Sequence, residues 1–125
     1  MKIWRDIRGY EGLYQVSNLG QVRSFDREIL HRGSISLIKG KLLKAGISRN
    51  YYQVVLSKNS IRQSIRVHRL VAEAFIDNPN NYNYINHKDE NKLNNKANNL
   101  EWCTPYYNTH YGNSINNMII NRWRR

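Results

Sequence analysis

The sequence is poor in cysteine and acidic residues and has no long apolar run. Its single cysteine, Cys103, excludes an internal disulfide and any zinc site that needs several cysteines. No stretch approaches the roughly 18 consecutive apolar residues of a membrane-spanning helix, and no signal-peptide pattern opens the chain. We therefore expect a protein that works in the reducing environment of the cytoplasm.

The shortage of acidic residues leaves a large excess of positive charge. Nine Asp and Glu stand against twenty Lys and Arg, which gives a formal net charge of +11. Such an excess favours a polyanionic partner, and on charge alone DNA, RNA and an anionic membrane all qualify. Membrane is the weakest of the three, while nine tyrosines and three tryptophans suit contact with nucleic-acid bases as well as packing.

The first two-thirds of the chain show the residue alternation that is typical of β-strands. Strands are predicted at 13–16 and 21–23, over 35–43 with a break at 39–41, and in a hairpin with arms at 52–56 and 61–67. The basic side chains fall between and along these strands. They are therefore expected on the polar face of a sheet, where they could follow a DNA backbone.

The period then changes from two residues to that of a helix. Apolar residues at 67, 70, 71, 74 and 75 predict an amphipathic helix over 67–76 that ends before Pro79. Short strands are expected at 84–87 and 100–102. Thr104 as N-cap, with Pro105 at the first helical position, predicts a helix to about Tyr111 that is ended by Gly112. Residues 114–125 could form a last short, basic helix.

Three sequence segments together resemble one family. The segment INHKDENKLNNKANNLEW, followed by CTPYYN, resembles the HNH nuclease motif, a ββα-metal site. The preceding VHRLVAEAFIDNP looks like the helix that leads into this motif in one HNH subfamily. WRDIRGYEGLYQVSNLGQVRS is similar to the small β module that precedes HNH cores in phage and intron-encoded homing endonucleases. The resemblance covers residues 3 to about 112, with the segments in the expected order.

The resemblance implies an α+β protein with an N-terminal antiparallel β module and a ββα-metal (HNH, His-Me finger) core. The implied division is a DNA-binding module over 1–66, the nuclease core with its leading helix over 67–112, and a basic segment over 113–125. The implied activity is hydrolysis of double-stranded DNA with one Mg²⁺ or Mn²⁺ ion per site, leaving 5′-phosphate and 3′-hydroxyl ends. With one site per chain, a monomer or weak dimer is expected to nick one strand in the cytoplasm of a bacterial or phage-infected cell.

Carried over position by position, the resemblance implies that His87 is the general base and that Asn86 and Asn108 are the metal ligands. Asn99 would hydrogen-bond across the two strands and fix the imidazole. A histidine with a pKa near 6.5 suits a base at neutral pH, and amide oxygens suit Mg²⁺ or Mn²⁺ better than Zn²⁺. Many relatives carry Asp or His at position 86 and often His at position 108, so this ligand set has little charge. Asp89 is the rival metal ligand, although a turn role is preferred for it.

The DNA-binding candidates are the basic and aromatic side chains of the predicted sheet and the start of the helix. They are Arg23, Lys39, Lys41, Lys44, Arg49, Tyr51, Tyr52, Arg62, Arg66, His68 and Arg69. For His68 and Arg69, packing or capping is an equal alternative. His110 should face away from the metal, since it lies two residues beyond Asn108 on a helix.

Two other functions stay open at this point. The first is a non-catalytic DNA-binding protein derived from such a nuclease, which would bind DNA in a salt-sensitive way without cleaving it. The second is an RNA-binding protein, which the charge and the tyrosines permit. The RNA-binding alternative leaves the spacing of Asn86, His87, Asn99 and Asn108 without an explanation.

Overall fold

The computed structural model describes residues 1–111 as a mixed α+β fold with antiparallel strands. Gly112 and the predicted segment 113–125 lie outside the described residues. In chain order the strands are β1 Trp4–Asp6, β2 Tyr14–Ser17, β3 Val22–Ser24, β4 Arg27–His31, β5 Ser34–Ile38, β6 Gly46–Ser48, β7 Tyr51–Lys58, β8 Ile61–Arg66, β9 Tyr84–His87 and β10 Leu100–Cys103. The helices are α1 Val67–Phe75 and α2 Pro105–His110, and a 3₁₀ turn spans Ala97–Asn99. No helix within residues 1–111 is long and apolar enough to cross a membrane.

The N-terminal sheet has the order β1-β2-β3 and confirms the two strands predicted over 13–23. The turn between β2 and β3 is held by the Ser17 hydroxyl, which accepts hydrogen bonds from the backbone N–H groups of Leu19 and Gln21. Gly20 takes a φ of +89°, a conformation that side-chain-bearing residues rarely adopt. This tight turn packs against Asn95 in the C-terminal half of the chain.

The second sheet, β6-β7-β8, contains the predicted hairpin. Its two faces differ because successive side chains of a strand point to opposite sides. On β7, Val54 and Leu56 are buried, whereas Val55 between them is exposed. The exposed face carries Tyr51 and the two arginines Arg62 and Arg66, so part of the predicted basic face is present.

A separate hairpin, β4-β5, is exposed along its whole length. The strand at Arg27–His31 was not predicted, since it has no buried face to give an alternating pattern. The predicted strand over 35–43 is shorter in the structure: it ends at Ile38, and Leu42 forms only an isolated bridge with Arg23.

One hydrophobic core joins the sheets to the C-terminal elements. Val16 from β2, Leu56 from β7, Val71 from α1 and Leu100 from β10 all belong to the same buried cluster. The core therefore extends across the predicted division between residues 66 and 67. The end of α1 is tied to β10 by the Trp102 indole, whose Nε1–H donates to the Ile76 carbonyl at 3.0 Å.

The last three elements have the predicted strand, strand, helix order. β9 and β10 pair antiparallel, with His87 opposite Leu100 and Asn86 opposite Glu101. α2 then packs against β9. Thr104 is the N-cap of α2, as predicted, because its side chain accepts a hydrogen bond from the Tyr107 N–H at 3.1 Å.

Candidate active site

His87 is the last residue of β9 and is buried, with 6% of its surface exposed. Its Nε2 lies 3.0 Å from the Asn95 side-chain oxygen. The rings of His68 and Tyr51 lie nearby, with centroids 5.2 and 6.0 Å from the imidazole. Burial lowers the pKa of His87, and this effect outweighs the Asn95 hydrogen bond and the Asp89 charge, which both raise it. The neutral imidazole therefore predominates at neutral pH.

Asn95, the hydrogen-bond partner of His87, was not among the predicted site residues. It is buried in the loop between β9 and β10, and the β2–β3 turn packs against that loop. A Cβ added at Gly20 would lie 3.2 Å from the Asn95 Cβ, and the Ala97 N–H donates to the Asn18 carbonyl at 2.8 Å. The N-terminal module thus supports the loop that positions the histidine.

Asn99 is buried, but its side chain binds the loop rather than the imidazole. Its Oδ1 accepts from the Asp89 N–H at 3.0 Å, and its Nδ2 donates to the Asp89 carboxylate and to the Asn94 carbonyl, both at 2.9 Å. Asn99 was predicted to hydrogen-bond across the two strands and fix the imidazole. Its side chain does bond to Asp89, just after β9, while the direct contact to the imidazole is made by Asn95. Asn99 closes the loop that carries Asn95.

The Asp89 side chain forms hydrogen bonds within this loop. Its carboxylate accepts from the Asn94 side chain and from the Asn91 N–H, each at 2.8 Å, in addition to Asn99. These hydrogen bonds, that of Asn94 foremost, lower the pKa of Asp89. The contacts favour the turn role over the alternative of a metal ligand.

Replacing Asn99 by alanine is expected to lower the free energy of unfolding by about 1–2 kcal/mol. The substitution removes three hydrogen bonds, although water can reach the exposed Asp89 and limit the loss. Urea unfolding monitored by tryptophan fluorescence measures the change. Asn98→Ala is the matched control, since Asn98 is the exposed neighbour in the same turn. An equal effect of the two substitutions would contradict this account of Asn99.

The predicted metal ligands are on adjacent elements. Asn86 on β9 is buried, and its Nδ2 donates to the Glu101 carboxylate at 3.0 Å. Asn108 is half-buried on α2, which packs against β9, and its backbone N–H donates to the Thr104 carbonyl. Residues 1–111 hold no group of three His, Cys, Asp or Glu side chains that could bind a metal ion. A carboxylate only accepts hydrogen bonds, so the amide nitrogen of Asn86 must face Glu101. The amide oxygen of Asn86 then remains as a metal ligand of the kind that Mg²⁺ and Mn²⁺ prefer.

Comparison with known proteins identifies relatives of this chain. A family model described as the NUMOD4 motif matches residues 3–57. An uncharacterized HNH endonuclease of Acanthamoeba polyphaga mimivirus is 40% identical over 118 residues, which is 94% of this chain and 30% of the relative. DNA endonuclease I-HmuI of Bacillus phage SP01 is 40% identical over 106 residues, 84% of this chain and 54% of the relative. A solved structure titled "DNA binding and cleavage by the HNH homing endonuclease I-HmuI" matches with a TM-score of 0.69 and 34% identity, covering 96% of this chain and 59% of that one.

The chain is a homologue of the HNH homing endonucleases. The α+β fold expected from the sequence is confirmed by the match to the HNH structure. The chain spans between about a third and three-fifths of the length of these relatives.

Several of the predicted DNA-binding residues lie close to the histidine of this candidate site. The Arg66 guanidinium lies 4.3 Å from the centre of the Tyr51 ring, which in turn neighbours His68 and His87. The Lys92 ammonium, which was not predicted, lies 5.3 Å from the same ring. These two cations and Tyr51 form a basic surface next to the candidate base.

Other predicted DNA-binding residues make contacts within the protein. Arg23 donates to the Gln15 side chain at 2.7 and 3.1 Å and lies over the Trp4 ring. Arg69 donates to the Asn83 carbonyl at 2.7 Å and lies 3.7 Å from Glu73. Tyr52 packs against the core. Lys39 lies 4.0 Å from Asp26 but remains largely exposed, so it stays available to DNA. Four further candidates sit on or beside the sheets and are all exposed: Lys41, Lys44, Arg49 and Arg62.

His68 is an interior residue of the HNH homologue. It is 8% exposed, and the desolvation that burial causes lowers its pKa to about 3. A neutral, buried imidazole does not attract a phosphate by charge. The structure therefore favours the packing alternative for His68.

Proposed function

We propose that this HNH homologue is a metal-dependent endonuclease that hydrolyses a phosphodiester bond of double-stranded DNA. The observation that supports this most is the buried, neutral His87, held by Asn95 and adjacent in sequence to the amide ligand Asn86. The homologue I-HmuI is named as a DNA endonuclease, and the solved structure that matches is titled as one of DNA binding and cleavage. We further propose that one chain nicks one strand, leaving 5′-phosphate and 3′-hydroxyl ends, in the cytoplasm of the host cell.

In this mechanism His87 removes a proton from the attacking water. The Asn95 carbonyl oxygen accepts from Nε2–H, so Nδ1 carries the free lone pair and is the basic atom. Desolvation of the ring keeps it unprotonated at neutral pH and ready to act as a base. Asn99 contributes indirectly, because it closes the loop on which Asn95 lies.

The metal site would use the amide oxygens of Asn86 and Asn108. A bound Mg²⁺ or Mn²⁺ ion would neutralise charge on the phosphate and on the leaving 3′-oxygen. Both amides are neutral, so we expect weak metal binding in the absence of the phosphate. Asn86 directly precedes His87 on β9, and Arg66 and Lys92 lie near Tyr51, whose ring neighbours His87. We propose that the scissile phosphate is held beside His87.

Duplex DNA would be bound by the exposed face of the β6-β7-β8 sheet and by the basic side chains around it. Arg62 and Arg66 alternate on that face of β8, and Arg66 stacks on Tyr51. Lys41, Lys44 and Arg49 are exposed on neighbouring segments. Contacts from such side chains to phosphates would orient the duplex without reading its sequence.

Conversion of supercoiled plasmid to open circle tests this function. The plasmids should carry fragments of the source genome, and the reactions should contain Mg²⁺, Mn²⁺ or EDTA. We expect open circles with either metal ion and none with EDTA. Binding of duplex DNA without cleavage in any metal would instead support a non-catalytic DNA-binding homologue, and a gel-shift preference for RNA would support the RNA-binding alternative.

A further inference from the structure

Glu101 lies directly across the β9–β10 pair from Asn86. The two residues are register partners, so their side chains project from the same face of the two-stranded ribbon. The Glu101 carboxylate accepts a hydrogen bond from the Asn86 amide at 3.0 Å. Asn86 is 5% exposed and Glu101 is half-buried, so this contact is partly shielded from water.

This contact decides which atom of Asn86 is available to a metal ion. The two ends of an amide differ, since the nitrogen donates and the oxygen accepts. An ionised carboxylate can only accept, so it holds the amide nitrogen toward itself and turns Oδ1 away. Without Glu101 the amide could rotate and present its nitrogen, which does not bind Mg²⁺ or Mn²⁺.

Glu101 also supplies the charge that the amide ligands lack. Asn86 and Asn108 are neutral, and Asp89 is engaged in its own loop. A carboxylate one hydrogen bond away from a ligand attracts a divalent cation and strengthens the ligand oxygen by polarising the amide. Charge on the residue behind the ligand can thus replace charge on the ligand itself.

Glu101 also acts on α2. Hydrogen bonding with Glu101 is the main cause that raises the pKa of Tyr107. Tyr107 directly precedes Asn108, the second candidate ligand. Glu101 therefore contacts one candidate ligand, Asn86, and influences the residue next to the other.

We propose that Glu101 is a positioning residue of the metal site, which orients the Asn86 amide and provides its negative charge. The inference rests on the proposed nuclease function and assigns that function a residue outside the predicted set. The geometry that supports it is the contact of Asn86 with Glu101 across the β9–β10 pair.

Titration of the full chain with Mn²⁺, with free Mn²⁺ measured by electron paramagnetic resonance, tests the role of Glu101. We expect Glu101→Gln to raise the Mn²⁺ dissociation constant by about tenfold, in the range found for residues that support metal ligands. Adding Asn86→Asp to Glu101→Gln should restore the affinity, because the charge then sits on the ligand itself. Glu28→Gln removes the same charge from the exposed β4 strand and should leave the dissociation constant unchanged.

A nicking assay gives a second readout. Glu101→Gln should raise the Mn²⁺ concentration that gives half-maximal nicking, whereas the rate at saturating Mn²⁺ should stay near that of the wild type. Tyr107→Phe, which keeps Glu101 and removes its hydroxyl partner, should shift the dissociation constant in the same direction by a smaller factor. This variant provides a test if Glu101→Gln does not fold, as judged by circular dichroism.

The outcomes separate this role from the proposed function. If Glu101→Gln and Tyr107→Phe bind Mn²⁺ like the wild type while Asn86→Ala does not, the positioning role is wrong and the nuclease proposal stands. Failure of Asn86→Asp to restore affinity in a folded Glu101→Gln protein would also overturn the role. A wild-type chain that neither binds Mn²⁺ nor nicks DNA would overturn both proposals.

Discussion

Replacement of His87 by alanine is expected to lower the rate of plasmid nicking by about 10²–10⁴-fold, the loss typical of a positioned general base. The imidazole is buried, held by Asn95 and kept neutral by desolvation, so another side chain or bulk water is a poor substitute for it. DNA binding should persist, because the phosphate contacts proposed for the sheet do not involve His87. The measurement is the initial rate of open-circle formation in Mn²⁺, together with a gel shift on the same DNA.

His110→Ala is the matched control for this prediction. His110 is at the end of α2, stacked on Tyr106 with ring centroids 3.9 Å apart, and its Nδ1 lies 2.8 Å from the Tyr106 carbonyl. Its loss removes an imidazole from the same part of the chain without touching His87. Equal nicking by wild type and His87→Ala would mean that another group is the base or that the activity comes from a contaminant.

The elements with a buried face were predictable from the sequence, whereas of the exposed β4–β5 hairpin only β5 was predicted. The residues of α1 and of β7 face the core and the solvent with a clear period. The structure has α1 and the β7–β8 hairpin close to their predicted bounds. The strand β9 was predicted with the bounds that the structure shows. The short strands β1 and β6 and the strand β4 are edge or exposed strands, whose side chains meet little of the core and so carry no periodic signal.

The positions of the candidate site were accessible to sequence analysis, but its hydrogen bonds were not. Asn95 stands in a run of asparagines and lysines where any one of several amides could have reached the histidine. The choice depends on how the β2–β3 turn packs against the loop, which is a tertiary contact of residues 75 positions apart in sequence, Gly20 and Asn95. Glu101 could have been found by pairing the two predicted strands, since the antiparallel register places it opposite Asn86.

Acidification is expected to destabilise the protein through His68. Its folded-state pKa is about 3, whereas an unfolded histidine has a pKa near 6.5. Between these values the unfolded chain binds a proton that the folded chain excludes, so the free energy of unfolding falls as the pH drops. The contribution of His68 is fully present above pH 6.5 and is lost progressively as the pH falls toward 3. The expected loss from His68 alone is about 2 kcal/mol at pH 5 and about 3 kcal/mol at pH 4.

Urea unfolding of the wild type and of His68→Gln at pH 7.5 and pH 5 measures this loss. Glutamine does not titrate, so the difference between the two pH values should shrink by about 2 kcal/mol in the variant. A loss of stability from altered packing is the same at both pH values, so it cancels in that difference. The lowered pKa of His87 contributes to the pH dependence of both proteins in the same direction. If His68→Gln loses as much stability between the two pH values as the wild type, then His68 is protonated in the folded protein at pH 5. A positive charge would then lie beside the His87 ring and oppose the protonation of His87.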